Sequence, residues 1–205
     1  MEATLNMHSL FPTPIGQFEI PSLTEEQLEF VTNQDTGANV SNRISLDKYI
    51  LEDRVMASLK SNLEFCLSSY YKIGVSTDPD IKLRITQSWI TYTNVGESHH
   101  EHSHPNSIIS GVYYVQTLGT DAICFHDNRR IGRSFCVNTP VLTQFNAPTY
   151  SLTTPQDSLV LFPSELVHSV NPRGIENVPD RISISFNTFY TGAIGREEDS
   201  TALIL

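Results

Sequence analysis

The second half of the sequence is a series of short β-type segments, and this series restricts the fold more than any other feature. After Val75, stretches rich in β-branched and aromatic residues alternate with prolines, glycines and asparagines, which is typical of strands joined by turns. The predicted strands are 82–93, 107–116, 121–126, 141–145, 158–163, 166–170 and 181–190. So many short strands in one block favour a sandwiched or closed β domain.

The first third of the chain has helical patterns instead. Residues 10–20 predict an extended edge strand, and Ser22 and Thr24, followed by Glu25 and Gln27, form a capping-box pattern for a short helix. Residues 33–45 are polar and predict a loop. A longer helix is predicted from about 47 to 70, since apolar residues recur there at spacings of three and four. The whole chain, 1–205, is expected to be one domain, with a helical part at about 22–73 and a β core at about 80–190.

Charge and composition argue against several classes of partner. Asp and Glu number 23 against 13 Lys and Arg, and the only tight basic cluster is Arg129, Arg130 and Arg133, so we expect no nucleic-acid binding. No apolar run approaches the roughly 18 residues that span a bilayer, and the N-terminal MEATLNMHS lacks the basic residues of a secretory signal. The three cysteines, Cys66, Cys124 and Cys136, have no CxxC spacing, which favours a reducing compartment such as the cytoplasm.

Four of the seven histidines lie in one short stretch from His99 to His104. In an extended chain, side chains two residues apart point to the same side, so His102 and His104 share a face, as do Ser110, Val112 and Tyr114 further on if no bulge intervenes. Such an H-x-H pair can place two imidazoles on one transition metal. The alternative is a solvated histidine-rich loop.

Two later segments offer partners for this pair. His168 lies in LVHSV after an apolar strand and is the candidate for a third ligand, although a structural histidine is the alternative. Arg181 opens the alternating strand RISISFN, in which Arg181, Ser183, Ser185 and Asn187 share a face. This face is either solvent-exposed or the wall of a pocket, where a guanidinium binds a carboxylate and Ser183 adds a hydroxyl donor.

Three ordered segments, HSHPNSIISGVYYV, LVLFPSELVHSV and RISISFN, resemble the iron(II)/2-oxoglutarate-dependent oxygenase superfamily. With the lead-in LFPTPI, they are most similar to a branch common in bacteria and phages that is distantly similar to prolyl hydroxylases. The resemblance extends from about Leu10 to Asn187. It implies a mainly β fold, the double-stranded β-helix or jelly roll, with N-terminal helices supporting the major sheet.

The resemblance also implies an activity and its cofactors. These are a dioxygenase that uses Fe(2+) and 2-oxoglutarate and hydroxylates a small-molecule or peptide substrate, in the cytoplasm or, if phage-encoded, the host cytoplasm. It implies metal ligation by His102 and His168 and binding of the distal 2-oxoglutarate carboxylate by Arg181 and Ser183. Tyr114 and Tyr92 are implied to contact the co-substrate, Tyr92 at its other end. No catalytic residue is expected beyond the metal site.

The sequence departs from the family pattern at the second ligand. The superfamily usually binds iron with two histidines and a carboxylate, whereas the second position here is His104. Three interpretations stay open: His104 ligates in a three-histidine site, the register shifts so that His99 and Glu101 form the pair, or only two histidines bind and a water or chloride fills the gap. The departure keeps two other functions open, a non-catalytic metal-binding jelly roll and a three-histidine cupin-like enzyme without 2-oxoglutarate. The apolar C-terminal ALIL leaves a homodimer open.

Overall fold

The computed structural model of the chain describes residues 3–76, 81–127, 140–174 and 177–205. In these ranges the elements in chain order are β1 (Gly16–Glu19), α1 (Glu25–Thr32), β2 (Thr36–Ala38), β3 (Arg43–Ser45), α2 (Ala57–Gly74), β4 (Lys82–Thr93), β5 (His99–His102), β6 (Ile109–Gln116), β7 (Ala122–His126), β8 (Thr149–Thr153), β9 (Ser158–Pro163), β10 (His168–Val170), β11 (Arg181–Thr191), β12 (Ala193–Ile194) and β13 (Leu203–Ile204).

Two antiparallel sheets form the body of the fold. The larger has the strand order β1-β9-β6-β11-β4-β3-β2, and the smaller has the order β5-β10-β7-β8. A small apolar cluster fills part of the space between them, formed by Tyr114, Ile123, Phe125, Val160 and Phe162. The helices pack on the opposite face of the larger sheet, where they form a larger core with its strands. The prediction of a mainly β protein with supporting N-terminal helices is therefore confirmed.

Alternation along the central strands separates an apolar face from a polar one. Ile182, Ile184 and Phe186 of β11 point to the helix-side core. Arg181 and Ser183 alternate with these residues along β11 and point to the space between the two sheets. Because both faces of this strand are covered, its polar residues are buried, and the solvent-exposed alternative for RISISFN is wrong.

The two helices differ in how well the sequence predicted them. Thr24 caps α1 as predicted: its hydroxyl accepts from the Gln27 N–H at 3.2 Å, and the Gln27 side chain accepts from the Thr24 N–H at 3.0 Å. The longer helix begins at Ala57, not near 47, after two 3₁₀ turns at Ile50–Glu52 and Arg54–Met56. Asp53 separates these turns in an extended conformation, with its carboxylate accepting from the Val55 N–H at 2.8 Å.

One predicted strand and one predicted loop were wrong. Residues 141–145 form a turn in which Asn146 accepts a hydrogen bond from the Thr143 N–H at 2.7 Å, and the strand lies later, at Thr149–Thr153. The polar stretch 33–45, predicted as a loop, contains the β2–β3 hairpin at the edge of the larger sheet. An edge hairpin buries little, so its sequence lacks the apolar alternation on which strand prediction depends.

Some sequence features fall outside this description. Arg129, Arg130, Arg133 and Cys136 lie outside the described residues. In the described ranges, neither helix has the length and apolar character needed to cross a bilayer.

Candidate active site

Three histidines meet at one end of the space between the sheets. His102 on β5 is the direct cross-strand partner of His168 on β10, and their ring centroids are 4.3 Å apart. His104 follows two residues later, where its backbone N–H donates to the Ser164 carbonyl at 2.8 Å. One ring nitrogen from each of the three histidines lies within 4.8 Å of the others. Cross-strand pairing thus brings together residues 66 positions apart along the chain.

Backbone carbonyls fix the tautomers of two of these rings. Nδ1 of His102 is 2.8 Å from the His100 carbonyl, and Nδ1 of His168 is 2.9 Å from the Leu166 carbonyl. A carbonyl only accepts, so each Nδ1 carries the proton and each Nε2 keeps a free lone pair. Nε2 of His104 lies 3.3 Å from Nε2 of His168. Histidine ligands of metals are commonly oriented in this way by a bond from the second nitrogen.

Burial keeps these imidazoles neutral at pH 7. It lowers the pKa of His168 to about 3 and the pKa of His104 to about 4, with a further lowering by the neighbouring histidines. Burial also lowers the pKa of His102, against the opposing effect of its bond to the His100 carbonyl. Metals bind the neutral imidazole, so the cluster is already in its ligating form.

A cleft runs from the histidines to Arg181 and is partly open to solvent. Its walls come from both sheets. The larger sheet contributes Trp89 and Thr91 from β4, Tyr114 from β6, and Ser183 from β11. The cleft therefore joins a cluster of metal-binding side chains to a buried cation.

Unpaired polar atoms gather at the far end of this cleft. Nη2 of Arg181, the Tyr114 hydroxyl and the Thr91 hydroxyl are all buried, and none has a hydrogen-bond partner within the described ranges. Burial raises the pKa of Tyr114 far above its ordinary value, so its hydroxyl stays protonated as a donor. Leaving buried polar groups unpaired is costly, and three around one cleft indicate a site for a polar ligand.

The structure places most of the predicted site residues on this cleft but not Tyr92. His102, His104, His168, Arg181, Ser183 and Tyr114 all line it. Tyr92 lies on the opposite face of β4, in the helix-side core, where its hydroxyl donates to the Val31 carbonyl. Its neighbours Thr91 and Thr93 line the cleft instead, so the prediction that Tyr92 contacts the co-substrate is wrong.

The alternative pair of His99 and Glu101 is also excluded by the geometry. The Glu101 side chain is 66% exposed, and its carboxylate lies 3.6 Å from Nδ1 of His126, away from the cluster. His99 lines the cleft and stacks on His102 with ring centroids 4.5 Å apart. The two residues therefore do not form one metal site.

Three residues in or beside the cleft were not predicted as site residues. Trp89 lines the cleft beside His104, with ring centroids 5.9 Å apart. Thr91 lines the cleft through its parity with Trp89 on β4, which the strand pattern could have indicated. Asp121 bonds to Arg181 from the β6–β7 connection, and this contact depends on loop packing that no local pattern encodes.

Comparison with known families identifies the protein class. The sequence profile of the family described as "Putative 2OG-Fe(II) oxygenase" matches residues 87–187, about half of the chain. The matched range contains all three histidines together with Tyr114, Arg181 and Ser183. The segment 87–187 of the chain belongs to this family. The oxygenase is therefore an iron(II)- and 2-oxoglutarate-dependent enzyme, as the sequence resemblance implied.

Several solved structures share the fold of this chain. HygX from Streptomyces hygroscopicus, crystallised with nickel, 2-oxoglutarate and hygromycin B, has a TM-score of 0.57 and 14% identity over 86% of this chain and 82% of its own. A prolyl-4-hydroxylase from Pseudomonas putida has a TM-score of 0.52 and 11% identity over 85% and 92%. A Trichoplax adhaerens prolyl hydroxylase, in complex with a peptide fragment, has a TM-score of 0.53 and 16% identity over 85% and 83%.

These likenesses confirm the predicted jelly-roll fold of the oxygenase. At such low identity they carry the fold alone, and they do not assign residues or substrates. No curated protein sequence matches the chain.

Proposed function

We propose that the oxygenase binds iron(II) through His102, His104 and His168, binds 2-oxoglutarate between this metal and Arg181, and hydroxylates a small-molecule or peptide substrate. One observation carries the proposal. Three neutral imidazoles converge at one end of a cleft whose other end is a buried guanidinium with a free N–H. These two ends match the chemistry of a co-substrate that has a metal-chelating end and a distal carboxylate.

The donor set fits a first-row metal. Imidazole nitrogens suit iron, and the metal–nitrogen bonds are expected at about 2.0–2.1 Å, as in other imidazole sites. The three nitrogens lie within 4.8 Å of one another, and any separation near that limit would have to shorten for all three to bind one ion. A metal held by three protein ligands would keep coordination positions for co-substrate and oxygen, as iron sites of this class do.

The far end of the cleft fits a carboxylate. Arg181 offers Nη2, and Tyr114 offers a protonated hydroxyl, and both are buried and unpaired. Ser183, two residues after Arg181 on the same face, lines the same wall. A carboxylate has about four lone-pair sites and can accept from all three donors, which removes the cost of leaving them unpaired.

Different residues of the chain hold the metal, orient the co-substrate and face the substrate. When bound, iron and 2-oxoglutarate would activate dioxygen: one oxygen atom would enter the succinate that forms as 2-oxoglutarate loses carbon dioxide, and the other would become the hydroxyl oxygen of the substrate. The histidines fix the metal at the open part of the cleft, and Arg181, Ser183 and Tyr114 set the direction of the co-substrate. Trp89, beside His104, presents a ring where a substrate would approach the metal.

Metal analysis tests the ligand set. Purified wild-type protein is expected to bind one iron(II) or nickel(II) per chain, and His168→Ala is expected to lose that binding. His100→Ala is the control, because the exposed His100 side chain does not line the cleft, and the substitution removes a ring 5.1 Å from that of His102 while keeping the backbone carbonyl that accepts from His102. Full metal affinity in His168→Ala would remove the proposed ligand assignment.

A titration with 2-oxoglutarate tests the rest of the proposal. The metal-loaded wild type is expected to bind 2-oxoglutarate and, with iron, to form succinate, whereas Arg181→Met is expected to bind it at least about 100-fold more weakly because one partner of a charged hydrogen bond is lost. A protein that binds metal but not 2-oxoglutarate would instead be the non-catalytic jelly roll or the three-histidine enzyme considered above.

A further inference from the structure

A trio of buried charged residues lies behind the wall of the cleft. Asp121 accepts from Nε of Arg173 at 2.9 Å and also from Nη2 of Arg173, so the two side chains form a bidentate pair. The same carboxylate accepts from Nη1 of Arg181 at 3.2 Å. The side chains of Arg173, Asp121 and Arg181 are only 7%, 3% and 5% exposed.

The trio lacks one negative charge. Burial opposes ionisation of Asp121, but the hydrogen bond from Arg173 and that from the Leu118 N–H outweigh this effect and lower its pKa. With both guanidinium groups protonated, the trio carries two positive charges and one negative. Buried charges are tolerated when they are paired, and here Nη2 of Arg181 has no partner in the described part of the chain. One added carboxylate would complete the set.

The two arginines have different access to the cleft. Arg181 lines it, whereas Arg173 does not line it and lies on the far side of Asp121. If Asp121 paired with Arg181 alone, the pair would be neutral, and a co-substrate carboxylate would bring an uncompensated negative charge into the protein. Arg173 neutralises Asp121 and so leaves the charge of Arg181 available to a ligand.

We propose that Arg173 is a positioning residue of the co-substrate site, which acts through Asp121 to keep a net positive charge facing the distal carboxylate of 2-oxoglutarate. This inference rests on the proposed function, since it assumes that Arg181 receives that carboxylate. The net positive charge at Arg181 favours 2-oxo acids that carry a second carboxylate over those that end in a methyl group.

A purely structural role for Arg173 is the competing explanation. Its Nη1 donates to the Pro179 carbonyl, and its own carbonyl accepts from the Gly96 N–H at 3.2 Å, so it also joins two loops. A structural role and a charge role make different predictions when Asp121 is changed as well. Removing both members of the pair restores the net charge but does not restore the loop contacts of the Arg173 side chain.

The experiment compares four variants loaded with nickel(II): Arg173→Gln, Asp121→Asn, the double variant, and Arg173→Lys. Calorimetry measures binding of 2-oxoglutarate and of 2-oxopentanoate, which has the same chain length but no distal carboxylate. Affinity for 2-oxoglutarate is expected to follow the charge of the trio. Arg173→Gln should bind at least about 10-fold more weakly than wild type, and the double variant and Arg173→Lys should lie within about 3-fold of wild type. Asp121→Asn, which has the highest charge, should bind at least about 10-fold more tightly than the double variant.

The ratio of the affinities for 2-oxoglutarate and 2-oxopentanoate distinguishes an effect of the charge from an effect of misfolding. Arg173→Gln should lose its preference for 2-oxoglutarate while its affinity for 2-oxopentanoate and nickel stays within about 3-fold of wild type. Equal 2-oxoglutarate affinity in Arg173→Gln and wild type, or a double variant as weak as Arg173→Gln, would overturn the inference. Should Arg173→Gln not fold, the comparison of Asp121→Asn with the double variant tests the same charge, and equal affinity there would overturn it too. Wild type that binds nickel but no 2-oxoglutarate would instead overturn the proposed function.

Discussion

At the scale of single residues, the departure from the usual ligand pattern is at His104. Three neutral imidazoles leave both positive charges of a bound iron(II), whereas two imidazoles and a carboxylate leave one. A more positive metal would favour anionic ligands, so the chelating end of a 2-oxo acid would gain electrostatic attraction at the proposed three-histidine site. The neutral state of His104 follows from its burial, which lowers its pKa to about 4.

The role of His104 can be tested by restoring the carboxylate. His104→Asp is expected to keep nickel affinity within about 10-fold of wild type, since an aspartate at this position is the usual ligand of such iron sites. His104→Ala is expected to lose about 100-fold or more, because losing a direct ligand should cost at least as much as losing a supporting contact. Competition with a chelating dye measures both constants, and His100→Ala serves as the control.

Wild-type affinity in His104→Ala would show that only two histidines bind the metal. In that case a water or chloride would take the third position, which is the remaining alternative from the sequence.

A substitution at Tyr92 is expected to change the stability of the fold and to leave the co-substrate site unaffected. Tyr92→Phe removes the hydroxyl that donates to the Val31 carbonyl and leaves this acceptor unpaired in the helix-side core. The expected cost is about 1–2 kcal/mol in the free energy of unfolding, measured by urea titration. Affinity for 2-oxoglutarate should not change, whereas Tyr114→Phe should weaken it. A loss of co-substrate affinity in Tyr92→Phe would contradict the face that the structure gives to this side chain.

Strand periodicity accounts for some of the site residues that could be predicted from the sequence, and contacts between loops account for one that could not. A period of two predicted that His102 and His104 share a face, whereas His168 was implied by the resemblance to the oxygenase superfamily. The same rule places Tyr92 with Ile182, its cross-strand partner on the apolar face, and so excludes it from the cleft. Arg173 was not predictable, because its contact with Asp121 joins two loops across 52 positions.

At the scale of elements, the close packing of β6 against β11 depends on one glycine. Gly111 pairs with Phe186 across these strands, and a Cβ on Gly111 would lie 2.2 Å from Cζ of the Phe186 ring. The ring is fully buried and cannot move away freely. The absence of a side chain at residue 111 is therefore what allows Phe186 to cover this part of the larger sheet.

Substitution of this glycine should destabilise the fold. Gly111→Ala is expected to lower the free energy of unfolding by about 1–3 kcal/mol, the usual cost of overpacking a core. Gly119→Ala is the matched control, because an added Cβ at Gly119 has no described atom within 4 Å. Urea unfolding of both variants measures the difference, and equal stability would mean that Phe186 adapts without strain.

Element boundaries were predictable where burial is regular. The strands 82–93 and 158–163 were predicted with the bounds that the structure has, and both lie in the middle of the larger sheet. The start of α2 was not, because the apolar spacing continues through Leu51 and Val55 while Asp53 caps the second of two short 3₁₀ turns there. A side chain that accepts a hydrogen bond from a nearby N–H can thus delay the start of a helix without disturbing the hydrophobic pattern.

At the scale of the whole molecule, the two cores have different tasks. The helix-side core contains most of the buried apolar residues and holds the larger sheet in place. Between the sheets only a small cluster is apolar, and the rest of that space is the polar cleft with its unpaired donors. The stability of the ligand-free protein therefore comes mainly from the helix side. The second sheet, which provides His102 and His168, is held by fewer apolar contacts.

Ligand binding should consequently stabilise the whole molecule in two steps. A ligand that binds only the folded state at 100 times its dissociation constant adds about 2.7 kcal/mol, and each kcal/mol raises the melting temperature by about 2–4 °C in a chain of this size. Nickel(II) at that excess is expected to raise the melting temperature by about 5–10 °C, and 2-oxoglutarate should raise it further only when nickel is present. The order follows from the geometry, since the chelating end of the co-substrate needs the metal. In His168→Ala both increases should vanish, and in Arg181→Met only the second should. A full increase with 2-oxoglutarate in the absence of metal would contradict this arrangement, because the co-substrate would then be held by Arg181 and its neighbours alone.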